Sequence, residues 1–190
     1  QAAAKMQLEA IKSRKFDYLV THCPHGYSNF KNEYPQFGKP FQVFHHTELI
    51  YRLIREGKIR LPRPIDRKIT YHDPCYLGRY NDIYDQPREI LRSISGVKLV
   101  EMKHNRQYSR CCGGGGGHLW MDLDTGRRIN VWRVEEALET GADTIAVACV
   151  YCLQMLNDAV KILDVEDRIE VRVIAELVAE AMGEDGDSAE

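Results

Sequence analysis

The sequence lacks a long run of apolar residues and lacks an excess of charge of either sign. No stretch of the 190 residues is apolar over the ~20 positions that a transmembrane helix needs, which excludes a bilayer span within this chain. The 26 basic and 28 acidic side chains nearly cancel to a net charge of −2, which argues against dedicated nucleic-acid binding. A secretory signal and an initial methionine are also missing, so we expect a fragment or a processed product.

Cysteine is the residue type that carries most of the information about function. Six cysteines could form three disulfides in a small secreted protein, but a chain of this length with 44% hydrophobic residues can build its own core. The composition fits one globular domain, or a domain with part of another. The six positions are Cys23, Cys75, Cys111, Cys112, Cys149 and Cys152.

Short β-branched runs alternate with amphipathic helical patterns along most of the chain. Residues 69–72 and 144–148 have the composition of buried strands, and residues 149–163 carry apolar side chains at helical spacing. Such alternation is typical of an α/β fold. We predict a mainly parallel, Rossmann-like sheet with helices on both of its faces.

The beginning of the chain resembles a later part of it. A helical pattern, a strand and the turn from Cys23 to Gly26 recur 126 positions later, where the sequence Cys149-Val-Tyr-Cys152 stands. We interpret this as an internal repeat whose first copy is incomplete. Chance similarity is the alternative, because helix–strand–turn units recur in every α/β protein. The predicted units are a C-terminal remnant of a first, degenerate module at 1–65, a complete module at 66–182 and a disordered acidic tail at 183–190.

Five of the cysteines lie in loops or turns that follow a predicted strand or precede a predicted helix. Cys75 follows one strand, while Cys149 and Cys152 follow another. The adjacent Cys111 and Cys112 lie in the loop region between them. Because the carboxyl ends of parallel strands share one edge of a sheet, these segments can deliver five sulfurs to one place. Clustered thiolates repel each other unless a cation lies among them, which favours a soft metal centre. Five ligands exceed the four of tetrahedral zinc and of an ordinary cubane [4Fe–4S] cluster.

A run of glycines at 113–117 follows the adjacent cysteines. A phosphate-binding loop would end in Gly-Lys-Ser/Thr, and a dinucleotide loop would need glycine at His118, so neither nucleotide motif fits. The glycine N–H groups could instead hydrogen-bond to sulfur at a metal site, with a flexible linker as the alternative. His72 and His118 are the candidate catalytic side chains near the cysteines, and a structural role is the alternative for each.

The full pattern of cysteines is highly specific. It reads Cys75-x35-Cys111-Cys112-Gly-x35-Cys149-x-x-Cys152, preceded by His72-Asp-Pro. This pattern resembles the CCG cysteine-rich domain of heterodisulfide reductase B and D subunits and of their membrane-linked relatives that take electrons from electron-transferring flavoprotein. The resemblance extends over residues 16–182.

The resemblance implies a ligand set and a cofactor. In the heterodisulfide reductase members, five cysteines hold a non-cubane [4Fe–4S] cluster that cleaves disulfides by successive one-electron steps. Gly26 stands where the family has the second turn cysteine of its first module, which implies that Cys23 no longer serves a complete cluster there. Carried over residue by residue, the implied ligands are Cys75, Cys111, Cys112, Cys149 and Cys152.

The resemblance also implies an iron–sulfur oxidoreductase that is part of a larger protein or complex. Its implied partners are ferredoxin-like clusters, a flavoprotein or a quinone-reactive membrane subunit, with a disulfide or thiol as substrate. The implied location is the cytoplasm or the cytoplasmic face of a membrane. Zinc at the same thiolates and a purely structural or electron-relay role stay open as alternatives. A thioredoxin-like dithiol enzyme is disfavoured, because such folds place a cis-proline after the dithiol and no proline follows Pro87.

Overall fold

A computed structural model describes residues 1–38, 41–121 and 126–183. From residue 184 onward, the predicted acidic tail lies outside the described residues. Helices and strands alternate along the described chain, in the order α1 (Ala2–Lys12), β1 (Tyr18–Thr21), α2 (Pro24–Ser28), β2 (Gln42–His45), α3 (His46–Arg55), β3 (Lys68–Tyr71), α4 (Asp85–Ser93), β4 (Lys98–Val100), α5 (Ile129–Glu139), β5 (Thr144–Val147), α6 (Val150–Ile162), β6 (Glu170–Val173) and α7 (Ile174–Met182).

The strands form two sheets in which every neighbouring pair is parallel. β1 pairs with β2, and the larger sheet has the order β4-β3-β5-β6. The chain leaves β3 through α4 toward one edge of this sheet and leaves β5 through α6 toward the other edge. The strand order therefore reverses between β3 and β5, and open α/β sheets bind ligands beyond the carboxyl ends of such strands.

Helices cover both faces of the larger sheet. Alternate residues of β5 point to opposite faces, so that Ile145 and Val147 pack in one hydrophobic cluster with α5 and α6. Ala146 belongs to the other cluster, which contains side chains of α4 and α7. All four residues of β5 are buried, as expected for a parallel strand covered on both sides. The predicted α/β class with parallel strands is confirmed, and the finer Rossmann-like topology stays a prediction.

The first 55 residues repeat the arrangement around β5 and β6. β1 begins at Tyr18 and β5 begins at Thr144, the same 126 positions apart as Cys23 and Cys149. In each case the cysteine immediately precedes a helix, α2 or α6. The division into two modules stays a prediction, and this correspondence agrees with it.

The helix after the second strand begins in the same way in both units. Glu48 Oε2 accepts a hydrogen bond from the backbone N–H of His45 at 3.0 Å, and Glu176 Oε2 accepts one from that of Val173 at 2.9 Å. Each carboxylate thus satisfies an N–H group at the start of its helix. The similarity between the two units therefore extends beyond the cysteine turns to the starts of α3 and α7.

The two units share one hydrophobic cluster. Leu8 and Tyr27 of the first unit are buried together with Ile69, Ile90 and Leu177 of the second. The contact positions the end of β1 beside the carboxyl ends of β3 and β5. Among the described helices, none is both long enough and apolar enough to cross a membrane.

Candidate metal centre

Three chain segments bring cysteines to the carboxyl ends of β3 and β5. Cys75 lies in the turn that follows β3, Cys149 immediately precedes α6, and Cys152 lies in the first turn of α6. The adjacent Cys111 and Cys112 come from the loop that follows β4. All five line one cavity of about 480 Å³, and all are free thiols. The structure therefore brings together the whole set of cysteines that the sequence singles out.

Cys23 and His25 of the first unit line the same cavity. His25 Nδ1 lies 3.7 Å from the Sγ of Cys23, and the His25 side chain also hydrogen-bonds Cys149. These bonds, to Cys149 first and to Cys23 second, raise the pKa of His25 to about 9. The sequence leaves Cys23 to an incomplete first site and does not single out His25. Their position directly after a strand end was the signal that could have found them.

The thiols of the cavity hydrogen-bond one another. Bonds from Cys111 and Cys152 hold the pKa of Cys112 far below that of an ordinary thiol, against the effect of burial. The bond from Cys152 likewise lowers the pKa of Cys149 to about 5. Burial, followed by the charge of Cys112, raises the pKa of Cys75. Sulfurs this close cannot all ionise unless a cation lies among them.

The glycine run forms a wall of the cavity rather than a linker. The backbone N–H of Gly113, a residue with φ of +89°, donates to the Sγ of Cys111 at 3.3 Å. A Cβ at Gly114 would lie 3.2 Å from the side chain of Met155 and 3.7 Å from the Sγ of Cys112. The run therefore keeps side chains out of the space beside the sulfurs and supplies an N–H group to one of them.

Aromatic side chains surround the mouth of the cavity. The ring of His25 lies 4.0 Å from that of Tyr76 and meets Tyr151 edge to face at 5.4 Å, measured between centroids. Trp120, which is 76% exposed, lies 6.4 Å from Tyr151. No aspartate or glutamate is among the described residues that line this cavity. Sulfur is therefore the dominant ligand type, which suits an iron–sulfur cluster or zinc better than a hard cation.

His72 lies behind the sulfurs. It is buried, and one of its ring nitrogens and the sulfurs of Cys112 and Cys152 lie within 4.8 Å of one another. Its Nδ1 accepts a hydrogen bond from Nε of Arg133 at 3.1 Å. The sequence did not single out Arg133, and an arginine three residues before Glu136 on α5 gave no local sign of burial.

The second candidate histidine, His118, is placed apart from the cysteines. It is exposed and lines a separate cavity of about 130 Å³ beside the glycine run, where Asn130 and Met155 are also found. No described contact joins His118 to a cysteine sulfur. Its catalytic role stays a prediction without structural support.

Asp73 belongs to a buried ion pair. Its two carboxylate oxygens accept hydrogen bonds from Arg88 at 2.7 and 2.9 Å, and Arg88 also bonds both oxygens of Glu101 at 2.7 and 2.9 Å. The backbone N–H of Arg106 donates to Asp73 Oδ2 at 2.8 Å. These bonds tie the turn that carries Cys75 to the loop that leads to the adjacent cysteines.

Comparison with known proteins gives a family match for the segment that contains this site. Residues 69–157 match the family described as CCG, cysteine-rich domain. The matched segment includes β5, all of β3 apart from its first residue, and every cysteine of the cavity apart from Cys23.

Three longer proteins are similar to nearly the whole chain. The probable iron-sulfur-binding oxidoreductase FadF of Bacillus subtilis (strain 168) is 46% identical over 182 residues, which are 96% of this chain and 26% of that protein. The EtfAB:quinone oxidoreductase of Syntrophomonas wolfei is 37% identical over 189 residues, again 96% and 26%. The D subunit of the dihydromethanophenazine:CoB–CoM heterodisulfide reductase of Methanosarcina barkeri is 39% identical over 183 residues, 95% and 44%. The chain thus spans a quarter to less than half of these relatives.

Proposed function

We propose that this chain, whose residues 69–157 match the family described as CCG, cysteine-rich domain, is an iron–sulfur oxidoreductase unit that transfers electrons through a non-cubane [4Fe–4S] cluster. The observation that carries the proposal is the convergence of five cysteine sulfurs on one cavity without a carboxylate among its described lining residues. The name of one relative, a probable iron-sulfur-binding oxidoreductase, supports iron–sulfur binding, and the name of another, a heterodisulfide reductase subunit, supports a redox role. The proposed ligands are Cys75, Cys111, Cys112, Cys149 and Cys152.

The residues around the sulfurs suit a centre that exchanges single electrons, which is the chemistry that such a cluster supplies when bound. The N–H of Gly113 donates to the sulfur of Cys111, and a ring nitrogen of His72 lies within 4.8 Å of the sulfur of Cys112. Such bonds stabilise a more negative centre and so tune its reduction potential. The aromatic mouth, with His25 at its edge, offers an apolar approach for a disulfide or thiol substrate.

We propose that the first unit, 1–65, is the C-terminal part of a degenerate module and that 66–182 form a complete one. The repeated offset of 126 residues and the matching carboxylate caps of α3 and α7 support this division. The proposed electron partners are other redox proteins or domains, such as a flavoprotein or a quinone-reactive component, as the name EtfAB:quinone oxidoreductase of one relative supports. A cytoplasmic membrane face is the proposed location, since another relative is named a probable membrane-anchored ferredoxin.

Metal and sulfide analysis of anaerobically purified protein tests the cluster. We expect iron and acid-labile sulfide in equal amounts, with an EPR signal after oxidation or reduction. Cys112→Ser should lower the iron content and change the signal. Cys23→Ser is the matched control, because Cys23 lines the same cavity but lies outside the proposed ligand set. Unchanged iron in Cys112→Ser would refute the five-ligand assignment.

Zinc is the second candidate that a specific observation favours. The ligand atoms of His72, Cys112 and Cys152 lie within 4.8 Å of one another, as the ligands of a single ion do. Zinc without labile sulfide in the purified protein would therefore refute the cluster and favour this candidate. For an iron-containing protein, a change of the EPR signal on addition of thiols would distinguish a substrate-binding centre from an electron relay.

A further inference from the structure

Arg133 and His72 form a buried pair directly behind the cysteine cavity. Their exposed fractions are 0% and 1%, and Nε of Arg133 lies 3.1 Å from Nδ1 of His72. A guanidinium has N–H donors only, so Nδ1 of His72 must accept this bond and carries no hydrogen. The single ring hydrogen of His72 is then on Nε2.

The other nitrogen of His72 is the one available to the sulfur of Cys112. A ring nitrogen of His72 and the sulfurs of Cys112 and Cys152 lie within 4.8 Å of one another. Nδ1 is already occupied by Arg133, so the donor to sulfur is Nε2–H. A ring nitrogen that carries hydrogen has no free lone pair with which to bind a metal.

We propose that Arg133 is a positioning residue, which fixes His72 as the Nε2–H tautomer so that His72 donates a hydrogen bond to the Cys112 sulfur instead of binding the metal. The inference deepens the proposed function and rests on a metal centre at the cysteine cavity. His72, one of the two candidate histidines, is then a hydrogen-bond donor to a ligand sulfur and not itself a metal ligand.

The surroundings of Arg133 hold its Nε in place. Nη1 donates to the backbone oxygen of His104 at 2.8 Å and to Glu136 Oε2 at 2.9 Å, and Nη2 donates to Ser109 Oγ at 3.2 Å. Glu136 is 4% exposed and paired with the arginine, so the charge is compensated inside the protein. An arginine with every nitrogen bonded and no solvent nearby has one orientation, which in turn gives His72 one tautomer.

The reduction potential of the loaded centre reports the bond to sulfur. A hydrogen bond to a thiolate ligand stabilises the more negative, reduced state, so its removal lowers the potential. We expect His72→Leu to raise the ratio of oxidised to reduced centre about tenfold at a fixed applied potential, which is 59 mV for one electron. Arg133→Met should shift the potential in the same direction, because His72 can then carry its ring hydrogen on Nδ1 and no longer has to donate to the sulfur. His104→Gln, which alters a neighbour of Arg133 without contact to sulfur, is the matched control and should leave it unchanged.

An EPR-monitored redox titration of the anaerobically purified protein decides among the outcomes. Iron content equal to wild type with a lowered potential in both variants supports the proposal. Loss of iron in His72→Leu identifies His72 as a ligand and overturns it. A wild-type potential in Arg133→Met, together with a shifted one in His72→Leu, also overturns it, because His72 then needs no arginine to orient it.

A measurement on the unmutated protein covers the case in which Arg133→Met does not fold. Pulsed EPR of protein labelled with ¹⁵N-histidine should give only a weak nitrogen coupling from His72, with an exchangeable proton beside it, and a strong coupling of a bound nitrogen would contradict the proposal. If the protein holds zinc and no sulfide, the proposed function fails while the tautomer remains testable. In that form, ¹⁵N NMR should find hydrogen on Nε2 of His72, and zinc on either ring nitrogen would overturn the inference.

Discussion

The buried ion pair between Asp73 and Arg88 gives a quantitative prediction for stability. Asp73→Asn keeps the shape of the side chain and removes its charge, while Arg88 stays 0% exposed. Removal of one partner of a buried pair costs ~3–5 kcal/mol, because the other charge stays in a low-dielectric interior. Glu101 still accepts two hydrogen bonds from the guanidinium, at 2.7 and 2.9 Å, so we expect the lower end, about 3 kcal/mol.

Thermal unfolding followed by circular dichroism under anaerobic conditions measures this loss. For a chain of this size, 1 kcal/mol corresponds to ~2–4 °C, so Asp73→Asn should lower the Tm by roughly 6–12 °C. Asp85→Asn is the matched control: its pair with Arg106 spans 2.7 Å but the aspartate side chain is 70% exposed, and we expect a loss below ~1 kcal/mol. Equal Tm values for the two variants would refute the reasoning. Iron content should be unchanged in Asp85→Asn, because its side chain pairs with Arg106 and has no described contact to a sulfur.

Three further predictions concern acid stability, backbone strain and the space beside the sulfurs. Burial lowers the pKa of His46 to about 2, so below pH ~6.5 this histidine binds a proton in the unfolded chain but not in the folded chain, and the free energy of unfolding decreases as the pH is lowered. His46→Phe should therefore lose less stability than wild type between pH 7 and 4 in urea titrations. Equal losses in the two proteins would contradict this. Gly96→Ala and Gly57→Ala both place a side chain at positive φ, which costs ~1–2 kcal/mol. Only the Cβ at Gly96 would also lie 2.8 Å from a backbone oxygen, so Gly96→Ala should be less stable than Gly57→Ala in urea titrations. The reverse order would refute this argument. Gly114→Val should reduce the iron content of the folded protein. Gly26→Val is the control, because its side chain would enter open space beside the same cavity and should leave the iron content unchanged. Equal iron contents in the two variants would refute a steric role for the glycine run.

The sheet and the convergence of the cysteines could be predicted from the sequence. The strands expected over 69–72 and 144–148 are β3 and β5, displaced by at most one residue at their ends. Residues 69–71 of β3 and all four residues of β5 are buried, and their β-branched and aromatic side chains favour strands. Because parallel strands end at one edge, Cys75 and Cys149 had to lie near each other once the sheet was assigned.

The surroundings of the sulfurs could not be predicted, because they depend on contacts between distant segments. His25 reaches Cys149 across 124 positions of sequence, and only the packing of the first unit on the second brings them together. Arg133 on α5 has the local pattern of a solvent-facing arginine beside Glu136. Its burial depends on His72, 61 positions earlier, whose ring nitrogen accepts its hydrogen bond.

The hydrophobic cluster that joins the two units means that a boundary drawn in the sequence near residue 65 is not a boundary in space. Excision of residues 66–182 as an independent piece would uncover the surface that Leu8 and Tyr27 now cover, and would remove His25 from the mouth of the cavity. The five cysteines would remain in such a piece, but one side of their enclosure would be open to water. The first unit, which has glycine where the second has Cys152, thus serves as a wall of its neighbour's site.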